Sequence, residues 1–394
     1  VDANYAFAED ELADALLNLG RSAEARRAGE EALAAADRVV AQRPQYGWAM
    51  FGKFEAEMAL SETTLYELDP TEALRLAMQE TQTTLAMVKV EPNNSFYTNE
   101  VGLAYGDISD SMWAAGRLRE GIGYARKMMQ FLGQAGASEI PVYNLVTAMG
   151  FTLQMQALSG DSSAEISPTV AAAAALSPDV LRKLGHLGSI AEQTVLALRA
   201  YAAAAAAYEH NDFGSARQLA HSALAALQAG GAHGRVDVGL MDAARCPLSD
   251  IEGRAEYQLG NFAAAAQAER TALQACKAGL GDHAAPRRIA QHSTWLSMAL
   301  AHEAKSQEAA QTIAPVVAMY RALEKKNHGD RWLPLELAEA LYAQSLTDDG
   351  HRAALLREAT GHVDHLIPSI AGLHDTRQWR ARIEAARRRV ATAE

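Results

Sequence analysis

Two cysteines carry the most direct chemical implication in this chain: Cys246 and Cys276 lie 14 residues before and 16 residues after Gly260. If the chain folds back as an antiparallel helix pair at Gly260, positions nearly equidistant from the turn lie side by side. A disulfide there would clip the open end of the hairpin. Such a bond implies an oxidising compartment such as a bacterial periplasm, whereas two unrelated buried thiols would fit a cytoplasmic chain. The histidines invite a metal reading. His362 and His365 share a helix face, with His351 and His374 nearby. The four lack an established ligand spacing, and a solvated helix face is the simpler account, so no metal is expected.

Other reaction chemistries leave no trace. Gly121-x-Gly123 lies within a helical stretch rather than after a strand, where it permits close packing and cradles no phosphate. No nucleophile elbow or Cys–His arrangement is present. The run Arg387-Arg388-Arg389 ends a helix, where basic side chains complement the dipole. No catalysis and no cofactor are expected.

The elements that must position these residues follow from composition and spacing. Apolar residues are 49% of the chain but aromatics only 6%, so alanine and leucine dominate and close helix packing is favoured over a sheet. The formal net charge is −12, which disfavours nucleic acid as a partner. No apolar run reaches membrane-spanning length. The chain opens at Val1 without a leader pattern and is expected to be a processed or trimmed piece of a larger polypeptide.

The clearest helical hairpin is residues 200–224, in which two alanine-rich runs flank Asn211-Asp212. The plan recurs at residues 255–273 around Gly260. Turn signals fall near residues 20, 68, 116, 160, 211, 260, 305 and 349, with separations of 48, 48, 44, 51, 49, 45 and 44. This steady period predicts an all-α, right-handed α-solenoid of about eight antiparallel helix hairpins with a C-terminal capping helix. The expected divisions are N-terminal repeats over 1–159, an irregular connection over 160–189, and C-terminal repeats with the cap over 190–394. Within the connection, Gly160–Ser167 reads as a polar loop, followed by two short helical pieces.

Gly260-Asn261-Phe262-x-x-Ala265, followed by Ala272-Leu273, resembles the second half of a tetratricopeptide repeat. Gly116-Arg117-Leu118 and Gly20-Arg21-Ser22-x-x-Ala25, with Ala32-Leu33, look similar. Leu280-Gly281-Asp282-His283 and Asn327-His328-Gly329-Asp330 resemble the linkers of the longer repeats in kinesin light chains. The resemblance implies a scaffold that binds proteins or peptides. In that register, the residues 13, 10, 6 and 3 before the turn glycine face the concave groove. These become Leu198, Tyr201, Ala205 and Tyr208, then Pro247, Asp250, Arg254 and Tyr257. The next two units supply His292, Trp295, Ala299 and His302, then Glu336, Glu339, Ala343 and Leu346. The N-terminal equivalents Asp14, Glu55, Met58, Glu62, Asp110 and Trp113 are mostly acidic.

The resemblance therefore nominates Tyr201, Tyr208, Arg254, Tyr257, His292, Trp295 and His302 as partner-binding residues, with the intervening alanines leaving the rings open to a ligand. The acidic positions are expected to draw basic parts of the partner from a distance. The reading is a protein- or peptide-binding module, the docking or sensory part of a larger bacterial polypeptide. A sensor for a small ligand or signalling peptide and an accessory subunit of an enzyme complex are the alternatives.

Overall fold

In the computed structural model, residues 3–19, 21–135, 139–161, 163–172, 178–230, 235–278, 285–326 and 329–392 are described. They are almost wholly helical, with no strand among them. The N-terminal helices are α1 (Ala3–Asn18), α2 (Ser22–Gln42), α3 (Gly47–Tyr66), α4 (Pro70–Val90), α5 (Ser95–Ala114), α6 (Leu118–Gln134) and α7 (Glu139–Leu158). Next come α8 (Ser163–Ala172), α9 (Pro178–Lys183), α10 (His186–Glu209), α11 (Phe213–Gly230), α12 (Arg235–Gln258) and α13 (Phe262–Ala278). The chain ends with α14 (Ala285–His302), α15 (Ser306–Glu324), α16 (Leu333–Ser345), α17 (Arg352–Asp364), the short α18 (Pro368–Ala371) and α19 (His374–Ala391). Two compact units divide the chain, residues 1–148 with 326–330, and residues 149–325 with 331–394. In each, consecutive helices pair as hairpins and successive hairpins stack.

One backbone device explains the period. Leu68, Gly116, Gly160, Asn211, Gly260 and Ala304 each have φ between 60° and 80° and close a hairpin turn. At each, the following N–H reaches back to a carbonyl five residues earlier, as from Asp69 to Thr64, Arg117 to Met112 and Asn261 to Glu256. This left-handed C-cap satisfies carbonyls the helix leaves open, and glycine adopts it without strain. Four of the six positions are glycine or asparagine, which is why the turns can be read in the sequence. Leu68 and Ala304 carry the strained conformation with a side chain. Ala304 is exposed, so Ala304→Gly removes backbone strain without losing burial. After the entropy of glycine is counted, about 0.5 kcal/mol of added stability is expected in urea denaturation.

Helix starts also follow local chemistry. The Asp69 carboxylate accepts from the Glu72 N–H at 3.1 Å, with Pro70 in the first turn, and the Asn94 side chain accepts from the Phe96 N–H at 3.1 Å. Small residues then let the helices close. Ala25, Ala32, Ala265 and Ala272, the tetratricopeptide-like positions, are buried, and a Cβ on Gly102 of α5 would fall 2.6 Å from Leu132 of α6. A second repeat signal lies seven residues before the turn residue. There Ser61, Ser109 and Ser297 donate to the carbonyls of Ala73, Gly121 and Ala309 on the paired helix, at 3.1, 2.8 and 2.9 Å.

Over the expected irregular connection the described residues form α8 and α9, and the place expected for a break between two helical pieces, residues 173–177, lies outside the described residues. The polar loop expected over Gly160–Ser167 is shorter than that, because α8 begins at Ser163 and carries Pro168 within it. Pro168 is the sixth residue of α8, beyond the first turn where proline fits freely, so the helix forms there without one of its backbone hydrogen bonds. The chain is thus an all-α helical repeat built from tetratricopeptide-like hairpins.

Candidate functional site

The seven nominated residues lie on α10, α12 and α14, the first helices of three successive hairpins in the second unit. Their chemistry is drawn together there. The Arg254 guanidinium lies 5.3 Å from the Trp295 ring centre, and Tyr257 meets Trp295 edge-on at 5.4 Å. Gln258 Nε2 donates to the Tyr208 hydroxyl at 3.3 Å. His302, at the solvent edge, stacks on Phe262 at 4.4 Å and lies 5.6 Å from Tyr257.

The expectation of open rings is corrected. Tyr201, Tyr208, Tyr257, His292 and Trp295 are buried, Trp295 to 2% exposure. Alanine between them draws the helices close and does not leave room for a ligand. Burial first, and then the neighbouring acids Asp250 and Asp375, raise the pKa of the Tyr201 and Tyr208 hydroxyls.

What covers the rings is the chain's own α19. Its Trp379, 1% exposed, packs 5.2 Å from Trp295 and 5.8 Å from Tyr342 of α16. Arg382, one turn on, sets its guanidinium 4.6 Å from the Trp379 ring centre and 5.3 Å from those of Tyr257 and Trp295. At the start of α19, Asp375 Oδ2 accepts from Arg254 at 3.2 Å. His374 Nδ1 lies 3.1 Å from Glu209 Oε2, and Gln378 donates to Asn211 Oδ1 at 3.1 Å. The helix therefore makes side-chain contacts with α10 or its turn, α12, α14 and α16, while also packing on α17. Spacing along α19 explains the match: Asp375, Trp379 and Arg382 recur at i, i+4 and i+7 and share one face.

Sequence reasoning missed Trp379, Arg382, Asp375 and Tyr342. It treated α19 as a basic end cap because its composition is polar. The available signal was the lone tryptophan in that basic helix, four residues after Asp375 and three before Arg382.

Behind this surface lies a buried ionic chain. Arg254 is bound by Asp250 at 2.9 Å as well as by Asp375. His292 Nδ1 stands 2.9 Å from Glu269 Oε2 and 3.7 Å from Asp250 Oδ1. Burial opposes a charge on His292, but the Glu269 hydrogen bond and the fields of Glu269 and Asp250 outweigh it and raise its pKa. Asp250, Glu269 and His292 could in principle ligate a metal, since one ligand atom from each lies within 4.8 Å of the others. His292 is already hydrogen-bonded to Glu269 and Asp250 is already bound to Arg254, so the set reads as a buried polar network closed within the chain. The other histidines are dispersed: His362 faces Glu324 at 3.3 Å, His351 faces Asp348 at 3.0 Å, and His365 bonds its own helix.

Cys246 is buried, packs against Ala275 and lies 3.6 Å from His292 Nε2. The Cys276 side chain lies outside the described residues, so the pairing of the two cysteines is a proposal. On that proposal, the denatured chain shows no titratable thiol until reduced, and reduction costs about 2–3 kcal/mol of stability. Two thiols reactive without reductant would refute it.

The acidic positions gather in the first unit. Asp10 and Asp14 lie on α1, Glu55 and Glu62 on α3, and Asp107 and Asp110 on α5. Burial, then the fields of Asp10, Glu100 and Asp14, push the Glu55 carboxyl up to about 9. Burial, then Asp14, Glu11 and Glu62, push Asp10 to about 7. Glu55 is therefore not the solvated charge expected to act at long range.

No protein-family model matches the chain, and comparison with the curated proteins found no match. Among solved structures, the chain is similar to a Rap protein complexed with competence and sporulation factor, at 12% identity and a TM-score of 0.43 over 100% of both chains. It is also similar to the TPR domain of P58(IPK), at 14% identity and a TM-score of 0.24 over 99% of each. The tetratricopeptide-like character of this chain rests on its own repeated hairpins.

Proposed function

We propose that this chain is a non-catalytic, protein-binding helical-repeat scaffold whose second unit recognises a basic amphipathic helix across α10, α12, α14 and α16. The observation that carries the reading is the seating of α19: an Asp, a Trp and an Arg from one helix face engage Arg254, Trp295 and Tyr257. Buried aromatic and arginine anchors of this kind supply most of the energy in protein interfaces. A groove that holds one such helix can hold another of the same chemistry, with α19 keeping the place until a partner displaces it. In a larger bacterial polypeptide, the module would serve as the docking or sensory part. The small-ligand reading is weaker, because Trp379 occupies the space between Trp295 and Tyr342 that such a ligand would use.

The test uses a fluorescent peptide spanning residues 374–390, titrated into the full chain and into the Trp379→Ala/Arg382→Ala chain. The double variant is expected to bind the peptide at least tenfold more tightly, since its own helix competes poorly. If hydrogen exchange shows α19 released and the peptide still does not bind, the groove is not a helix-binding surface.

A further inference from the structure

Behind the groove, the fold builds an arrangement that no spacing in the sequence announces. Cys246 of α12, Glu269 of α13 and His292 of α14 come from three helices and meet in the interior, each less than a tenth exposed. His292 stands between the other two. Its Nδ1 lies 2.9 Å from Glu269 Oε2, and its Nε2 lies 3.6 Å from Cys246 Sγ. A carboxylate at Nδ1 holds a proton on that nitrogen, so Nε2 is the one presented to the sulfur. The expectation that the chain has no Cys–His arrangement is therefore corrected. The two residues are 46 apart in sequence, and only the packing of successive hairpins joins them.

The Glu269 carboxylate has a space made for it. A Cβ on Gly253 of α12 would fall 2.5 Å from Glu269 Oε1, so the glycine lets the acid sit behind the imidazole. Burying an acid and an imidazole is less favourable than packing alanine and leucine there. A disulfide that only clipped the hairpin would not need either group, because a bonded sulfur carries no charge. A thiolate would. Burial and the field of Arg254 oppose a charge on His292, but Glu269 and Asp250 outweigh them and raise its pKa. The protonated ring then faces the sulfur at contact distance. In that setting a thiol ionises well below its ordinary value of about 8.5.

We propose that Cys246 and Cys276 form a thiol–disulfide exchange site that takes a dithiol as reductant, with His292 stabilising Cys246 as the leaving thiolate. This rests on the pairing of the two cysteines proposed above; Ala275, the residue before Cys276, packs on Cys246 and supports it. Cys246 is buried, so the incoming thiolate attacks the Cys276 sulfur. The sulfur–sulfur bond breaks, and Cys246 leaves with the electron pair beside the His292 imidazolium. The second thiol of the reductant then attacks the mixed disulfide, closing the reductant's own disulfide and releasing Cys276. Two electrons pass to the protein. One proton ends on Cys276, and the other goes to solvent while Cys246 stays a thiolate. A lower pKa of the leaving sulfur speeds the first step, and a stabilised thiolate favours the reduced form. Glu269 is a positioning residue, acting on the sulfur only through His292.

The test treats the native full chain with dithiothreitol at pH 7 and counts thiols by alkylation and mass spectrometry. Complete reduction within minutes is expected, with circular dichroism unchanged; a disulfide that only clips the hairpin would resist until the chain unfolds. The reduced chain should then show the ultraviolet absorbance of a single thiolate below pH 7. His292→Gln, which cannot carry the charge, is expected to slow reduction about tenfold. It should also shift the equilibrium with dithiothreitol about tenfold toward the disulfide, or about 30 mV. Two thiols reactive in the denatured chain without reductant would remove the pairing and the exchange site together. A native disulfide that dithiothreitol leaves intact would overturn the exchange site alone. So would a reduced chain whose thiols both ionise only above pH 8, or a folded His292→Gln chain reduced as readily as the parent. The absorbance is read on the parent chain, so a His292→Gln chain that fails to fold leaves the proposal open to refutation.

Discussion

Trp379→Ala is expected to lower the stability of the second unit by about 3–5 kcal/mol, the range for removing a fully buried aromatic side chain. The ring is enclosed by Trp295, Tyr342 and the Arg382 guanidinium, so its loss leaves a cavity that none of the three can fill without moving. The effect should be local before it is global. In hydrogen exchange, amides of α19 should lose protection first, while α10–α13 keep theirs, because those hairpins pack on one another through buried alanine. Denaturation with an unchanged midpoint, or uniform loss of protection over the unit, would show that α19 is not a separately seated element. Trp379→Phe retains much of the contact and should recover more than half of the loss.

Raising the pH from 5 to 9 is expected to destabilise the first unit, by on the order of 5 kcal/mol. The sign follows from the direction of the shifts. Burial first, and then neighbouring carboxyls, raise Glu55 to about 9 and Asp10 to about 7; burial alone raises Glu100 to about 7. Burial also raises Glu57 to about 7 against the opposing effects of Thr83 and Lys53. Each group has a folded value above its unfolded value near 4, so the native chain holds more protons than the unfolded chain in between. Stability is therefore full below pH 4 as far as these groups are concerned, and is lost as pH rises through 7 and on to 9. Glu55→Gln removes the group that titrates last and should flatten the decline above pH 7, leaving the variant more stable than the parent at pH 9. Melting curves at several pH values check both statements. Stability that rises between pH 5 and 9, with Glu55→Gln no better at the upper end, would show that these carboxyls are ionised and paired.

The division between what could be read in the chain and what could not follows the range of the forces involved. Hairpin turns depend on one backbone conformation and its nearest hydrogen bonds. Gly116, Gly160, Asn211 and Gly260 announce it by residue type, and even Leu68 and Ala304 are betrayed by the period. Close packing of helix pairs depends on small side chains at fixed spacing, so alanine content alone pointed to an all-helical repeat. The register that nominated Tyr208, Arg254, Tyr257 and Trp295 was legible too, because it is counted from those same turns.

Whether those rings meet solvent, a partner or another part of the chain is not a local property. It was decided by α19, which lies 121 residues from Arg254 at their shared ion pair and 167 residues from Asn211 at the Gln378 hydrogen bond. A polar, arginine-rich helix looks solvated in sequence; its Asp375, Trp379 and Arg382 become an interface only when four other helices present complementary groups to that one face. The carboxyls of the first unit followed the same logic. Their types and positions were plain in the sequence, but the raised pKa values of Asp10, Glu55, Glu57 and Glu100 come first from burial, which exists only once α1, α3 and α5 are stacked.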